Sequence, residues 1–430
     1  MDTLFRDATV LTMNDAHEIM EHGDVLVRDG CIAAVTTDEA MPAVDAARPD
    51  VAVVDCHGDV LMPGLINAHA HISMSLFRNY ANDQNLQTWL EESIWPLESH
   101  LTREDIVCGA RLSMAEMLAG GITTFMDMYD EEAAIAEVVE AVGMRAVLGE
   151  GVTDRSLQRK LPLIQEMIET STPRVHYMVA PHAVYTCSPE TLRTLGDLAA
   201  SAHVGIHIHL AETQQEDAEC RAHYGLSPTA LLHREGLLNG QSLLAHGVFL
   251  DDEDIETIAR AGASVVYNPA SNMKLASGFM RLSALRDAGV NVALGTDGPS
   301  SNNTQDLFKD MRLGSFIQKG RSGDATAAPA RAMLELATRG GARAMGRDDL
   351  GQIAPGARAD LVLVDFHNIR HTPFPDDVEA ALVYATAADD VRLTMVEGEI
   401  LYRDGAFSHL DVDAVRHEAQ AAWQRLCAFR

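Results

Sequence analysis

Apolar positions along this chain fall into two textures. Near both ends they form short β-prone runs broken by turns, at residues 8–12, 24–30, 31–35, 359–365 and 393–401. The 24–30 run enters a glycine turn, and 31–35 reads as its hairpin partner. Between these flanks, apolar or β-branched runs recur at 61–68, 121–128, 144–152, 175–184, 205–210, 242–248, 264–267 and 291–295, many of them separated by helical patterns. Thr102-Arg103-Glu104-Asp105 has the form of a capping box with Asp in place of Glu, and the apolar pattern after it stops at Gly120-Gly121. Residues 411–429 predict a last amphipathic helix, with Asp411 as cap and Val412, Val415, Ala419, Ala422 and Leu426 on one face.

Eight strand signals alternating with helices predict an α/β fold, a parallel (β/α)8 barrel of the TIM type. The β-rich flanks predict a small β-sandwich domain built from both termini. The expected division is 1–58 for the first part of the β domain, 59–354 for the barrel, and 355–430 for the second part of the β domain with the terminal helix. A doubly wound open sheet is the alternative, but no Gly-x-Gly-x-x-Gly follows the first strand.

Composition narrows the partners. With 430 residues, 47% of them apolar, the chain can bury a large core. A formal net charge of −30, with only four lysines, argues against a nucleic-acid partner, because like charges repel. No apolar run is long enough to span a bilayer, and the N-terminus lacks the basic-then-apolar pattern of a signal peptide. Six scattered cysteines without a Cys-x-x-Cys suit idle thiols in a reducing cytoplasm. Homo-oligomerisation stays open.

The chemistry gathers at the strand ends, where a barrel carries its active site. The first barrel strand runs into His69-Ala70-His71, whose alternate side chains project into one space. The fourth strand ends at His182, the fifth at His209, the sixth at His246 and the eighth at Asp297. Three neutral imidazoles and a carboxylate suit one divalent ion, Zn²⁺ or Fe²⁺ with zinc preferred, and leave a position for water. His69, His71, His209 and Asp297 are the expected ligands. His207 shares a face with His209 but lies deeper, and is expected as an inward core residue. Glu212, just past His209, is placed within reach of the water and substrate. Two-metal barrels of this sort often bridge their ions with a carbamylated lysine from the fourth strand; that strand contains no lysine here, so a single ion is expected.

These motifs resemble the amidohydrolase superfamily, and most closely its methylthioadenosine/S-adenosylhomocysteine deaminase branch, beside the chlorohydrolases and the guanine and cytosine deaminases. The likeness runs nearly the whole chain, through Pro63-Gly64-Leu65-Ile66-Asn67-Ala68-His69-Ala70-His71, Pro181-His182, His209-Leu210-Ala211-Glu212, Ala245-His246-Gly247 and Gly295-Thr296-Asp297-Gly298. His-x-His and Thr-Asp-Gly specify the superfamily alone. The motif Asn268-Pro269-Ala270-Ser271-Asn272-Met273-Lys274-Leu275-Ala276-Ser277-Gly278 narrows it to the branch, as do the 297–303 loop and Trp89 followed by Trp95-Pro96-Leu97-Glu98.

The resemblance implies hydrolytic deamination of the 6-amino group of an adenine nucleoside: methylthioadenosine, adenosine, 5′-deoxyadenosine or S-adenosylhomocysteine. Water activated by the ion attacks C6, Asp297 takes its proton, Glu212 protonates N1, and His246 steadies the developing tetrahedral centre. It places Glu98 on the ribose hydroxyls, His182 on the purine, Trp89 beside the nucleoside and Ser301 at the substrate. A free-base deaminase or triazine chlorohydrolase is the enzymatic alternative, and a non-catalytic scaffold the remote one. One departure stands out: Glu150 occupies a position where the branch often has an arginine facing the far end of the substrate. An acidic group there should repel a substrate carboxylate and favour neutral 5′ groups.

Overall fold

The computed structural model describes residues 2–37 and 51–430, so the part of the 1–58 expectation at 38–50 lies outside the described residues. Eight parallel strand positions form the barrel. They are β1 (Leu65–Ala70), β2 (Ile122–Tyr129), β3 (Arg145–Val152), β4 (in two pieces, Val175–Tyr177 and Ala180–Pro181), β5 (His207–Leu210), β6 (Leu243–His246), β7 (Ser264–Tyr267) and β8 (Asn291–Leu294). Neighbours pair in parallel from β1 to β4 and from β5 to β8. Bridges from Val179 to Ile206 and from Ala183 to His209 join β4 to β5. The ring closes where the Asp297 amide donates to the His69 carbonyl at 2.9 Å. Every residue of β1 and β2 is buried, as expected of strands covered on one side by helices and on the other by the packed barrel interior.

The helix Arg103–Ala119 begins at the capping box read from the sequence. Thr102 Oγ1 accepts from the Asp105 amide at 3.3 Å, and Asp105 Oδ2 accepts from the Thr102 amide at 2.7 Å. Loss of such a cap costs about 1 kcal/mol. The terminal helix, Val412–Leu426, is capped by Asp411 and buries Val415, Ala419 and Leu426. It packs against Arg103–Ala119, where Arg425 pairs with Asp105, and so belongs with the barrel's outer layer.

Both termini build a nine-stranded sheet around Asp2–Leu11, which pairs with Ile19–Arg28, Val51–Asp55 and Val60–Pro63. Val60–Pro63 in turn pairs antiparallel with Leu361–Val364, and the sheet continues through Val391–Val396 and Glu399–Arg403 to Ala406–Phe407. Phe5, Val27, Val54, Leu61, Leu363 and Leu393 pack into one core apart from the barrel, so the sheet folds over on itself in the manner of a sandwich. The chain passes from this sheet to the barrel at Gly64. A Cβ there would lie 2.2 Å from Thr123 Oγ1, so no larger residue fits the crossing. Among the described residues no helix is long and apolar enough to cross a membrane.

Candidate active site

A cavity of about 270 Å³ opens at the C-terminal ends of the strands, close to the lower end of the roughly 300–1,000 Å³ range of small-ligand sites. At its floor, His71 Nε2 lies 3.2 Å from both Asp297 Oδ1 and His209 Nε2, and His69 Nε2 lies 3.5 Å from Asp297 Oδ1. Four ligands held at ~2.1 Å in a tetrahedron stand ~3.4 Å apart, so this group can hold a divalent ion. His69, His71 and Asp297 all present their ligand atoms within 4.8 Å of one another. His69 Nε2 is buried without a hydrogen-bond partner, an expensive state that a bound cation relieves. The donor set therefore fits the ion expected from the sequence. Burial holds the His69 imidazole down, to about 3, and the two imidazoles keep Asp297 well below the usual carboxylate range despite its burial.

Backbone conformation helps aim these groups. Ala211, His246 and Asp297, at or just past the ends of β5, β6 and β8, have φ of 48°, 74° and 62°. This left-handed region is unusual for residues with a side chain and clusters at functional sites.

Glu212 lines the same cavity. Its Oε1 accepts from Ser277 Oγ at 2.9 Å, and its Oε2 lies 3.6 Å from His246 Nε2. Burial pushes its pKa up, favouring the neutral acid. Glu216, which sequence reasoning passed over, brackets the turn: its carboxylate accepts from the amides of Ala211 at 3.0 Å and Glu212 at 2.8 Å.

The 268–278 motif read as a family mark has a physical task. Asn272 Oδ1 lies 2.9 Å from His246 Nδ1, with Asn268 Nδ2 at 3.3 Å. Ser271 Oγ donates to Asp297 Oδ2 at 2.5 Å, and Ser277 serves Glu212. Lys274 Nζ ties the motif to the next loop through Ser300 O and Asn303 Oδ1, both at 2.7 Å. One segment thus fixes three of the expected catalytic side chains.

The other expected residues divide. Glu98, His182 and Trp89 line the cavity. Glu98 Oε1 accepts from the Tyr129 hydroxyl at 2.5 Å, and burial pushes its carboxyl up to about 7. His182 Nδ1 meets Thr186 Oγ1 at 2.9 Å, and burial lowers its pKa to about 4. Trp89 opens a π-helical turn, Trp89–Ile94, beside the cavity, and its indole N–H is buried without a partner.

Two of the residues singled out in the sequence stand apart from the cavity. Ser301 does not line the cavity; its hydroxyl donates to Gly298 O at 3.0 Å and closes its own loop. Glu150 does not line it either. Buried at the end of β3, it accepts from Lys160 Nζ at 2.8 Å and from the Glu132 amide at 3.1 Å. Lys160, ten residues on and outside the sequence reading of the cavity, lines the wall together with Asp130 and Arg159. Its ammonium also donates to Asp130 Oδ1 and, at 2.7 Å, to Gly151 O.

Comparison with known proteins gives the chain a family. The amidohydrolase family model matches residues 60–401. A 5-methylthioadenosine/S-adenosylhomocysteine deaminase of Nitratidesulfovibrio vulgaris is 40% identical, over 96% of this chain and 95% of its own length. A 5′-deoxyadenosine deaminase of Methanosarcina mazei is 38% identical, over 99% of both chains. The crystal structure of a zinc-bound adenosine deaminase from Xanthomonas campestris superposes with a TM-score of 0.95 at 35% identity, covering 99% of each chain.

Proposed function

This chain belongs to the amidohydrolase family, and we propose that it hydrolyses the 6-amino group of adenine nucleosides, releasing ammonia and leaving the inosine analogue. The observation that carries the reading is the pairing of two carboxyl groups, Glu212 buried and Glu98 half-buried, on the wall of one cavity. Glu212 stands beside His246, where it would transfer a proton, and Glu98 on the same wall would accept the hydroxyls of a ribose. The names of the relatives, deaminases of adenosine and of its 5′-modified forms, support the same substrate class.

Members of the family bind a divalent metal, and we assign zinc, one ion per chain, to His69, His71, His209 and Asp297. When bound, such an ion lowers the pKa of water from 15.7 towards ~7, so that hydroxide is available near neutral pH. The chain's own residues do the rest. Asp297, kept ionised, is the base for the water's proton. Glu212, whose acid form burial favours, delivers a proton to purine N1 as C6 is attacked. His246, steadied at Nδ1 by Asn272 Oδ1, turns Nε2 towards the group forming at C6. Trp89 and the apolar wall around Leu90 and Ile94 exclude bulk water. The substrate is a free nucleoside, since the net charge of −30 repels a nucleic-acid backbone. Six free thiols fit a reducing cytoplasm.

A steady-state panel read by ammonia release tests the proposal. The zinc-loaded protein should deaminate adenosine, methylthioadenosine and 5′-deoxyadenosine, and leave guanine and cytosine untouched. Turnover of a free base in preference to every nucleoside would overturn it.

A further inference from the structure

Each imidazole assigned to the ion hides its Nδ1 in a hydrogen bond and turns Nε2 inward. His71 and His209 give their Nδ1–H to backbone carbonyls, of Met128 at 2.5 Å and of His182 at 2.7 Å. A carbonyl oxygen can only accept, so in both rings the proton is fixed on Nδ1 and the Nε2 lone pair faces the cluster. His69 has a different partner. Its Nδ1 lies 2.8 Å from His207 Nε2, an atom able either to accept or to donate.

Counting protons decides between the two. Were the His207 proton on Nε2, it would donate to His69 Nδ1. His69 would then keep its own proton on Nε2, pointing N–H at the cluster. With the His207 proton on Nδ1, its Nε2 accepts from His69 instead, and His69 Nε2 keeps its lone pair. Only this second arrangement lets His69 ligate a cation.

We propose that His207 is a positioning residue for the metal site, accepting the Nδ1–H of His69 and thereby fixing that ligand's tautomer and ring plane. The proposal rests on the assignment of a divalent ion to His69, His71, His209 and Asp297. Both rings are held rigidly, with His69 0% and His207 1% exposed, and meet edge to face with an interplanar angle of 78°. His207 does not line the cavity, so it acts through His69 and not on the substrate. As a neutral acceptor it adds no charge to the site, leaving Asp297 the only anion in the ligand set. Partners of this kind orient a ligand and raise its basicity.

The test compares three variants in the full-length protein. His207→Gln offers an amide oxygen near the position of Nε2, whereas His207→Leu and His207→Met keep bulk but accept nothing. Zinc affinity is measured on the apo-protein by competition with a chromophoric chelator, alongside the melting temperature of each apo-protein. The Gln variant should stay within about threefold of the parent, and the Leu and Met variants should lose about 10–100-fold in affinity. Unchanged zinc affinity in the Leu or Met variant overturns the proposal, even if its melting temperature falls, because His207 would then serve packing alone. A Gln variant as weak as Leu also overturns it. If the parent itself binds no stoichiometric zinc, the metal assignment fails instead, and the variants will not differ from it.

Discussion

Strands β1 and β5 are built on one plan and end differently. Each carries a His-x-His pair, and each is followed by a connection bearing a glutamate that lines the cavity: His69, His71 and Glu98 on one, His207, His209 and Glu212 on the other. On β1 the pair straddles the strand's end, with His71 just past Ala70, and both Nε2 atoms reach the cluster. On β5 the pair sits one step further back. His209 reaches the cluster, while His207, at the first residue of the strand, stops one layer below and meets His69 from beneath. Equal spacing therefore gives equal direction but not equal depth. Depth along the barrel axis decides which imidazole becomes a ligand and which a support.

The sharpest test of this division lies past the end of β5. Glu212→Gln should lower kcat by about 10²–10⁴-fold while zinc content, measured by elemental analysis, is unchanged. Loss of zinc with activity would mean that the β5 connection and its ligand do not act separately. Next in size, His209→Ala should weaken zinc binding beyond the ~100-fold ceiling expected of an outer partner such as His207. Equal losses at 207 and 209 would erase the contrast between them.

The two glutamates should also separate by pH. Glu98, raised by burial to about 7, is a carboxylate above that value and a neutral acid below it. Accepting two ribose hydroxyls needs the carboxylate, so KM for adenosine should climb by up to about tenfold per pH unit as pH falls below 7, with kcat less affected. Glu98→Gln should abolish that KM dependence. A KM that stays flat in the parent between pH 5.5 and 7.5 would argue that Glu98 does not meet the ribose. Glu212 works in the opposite sense, because its acid form is the useful one and activity falls as pH rises through its pKa. The Ser277 hydroxyl stabilises the Glu212 carboxylate, so Ser277→Ala should move the basic limb of the kcat/KM profile to higher pH. Its effect on the rate itself should be small, about 1 kcal/mol or roughly fivefold.

The smallest effect concerns the 5′ end of the substrate. Lys160 already spends its three N–H groups on Asp130, Glu150 and Gly151, so it has none left for a substrate carboxylate. Methylthioadenosine should exceed S-adenosylhomocysteine in kcat/KM, by several-fold rather than by orders of magnitude, because Arg159 still lines the wall. A higher value for S-adenosylhomocysteine would refute this.

What the sequence made legible follows the same line between direction and depth. Alternation along a strand and the position of its end are one-dimensional, so His69, His71, His182, His209, His246 and Asp297 could be placed, and the chain's two terminal β regions recognised. Partners reached across the barrel are not one-dimensional. The hydrogen bond from His69 to His207 joins residues on opposite strands, and Ser271, Asn272 and Ser277 owe their roles to a loop folding back over two other strand ends. Glu150 misled for a related reason. Its sequence position gave the strand end correctly, but its side chain points to the helix Leu157–Glu169, where Lys160 takes it. Ser301 lay in the right loop and faced its interior.

The sheet shared by the two termini bears on how the molecule is made. Val60–Pro63 lies between Asp2–Leu11, synthesised just before it, and Leu361–Val364, which leaves the ribosome only after the whole barrel has been translated. Until then one edge of the early strands stays unpaired while the domain waits for its second half, an exposure typical of slow, long-range pairing. Closing this sheet therefore has to wait until residues 361–364 have been made. A chain cut short before residue 361 would keep all eight barrel strands and the expected metal ligands, yet lose the partner that covers the edge of its first sheet.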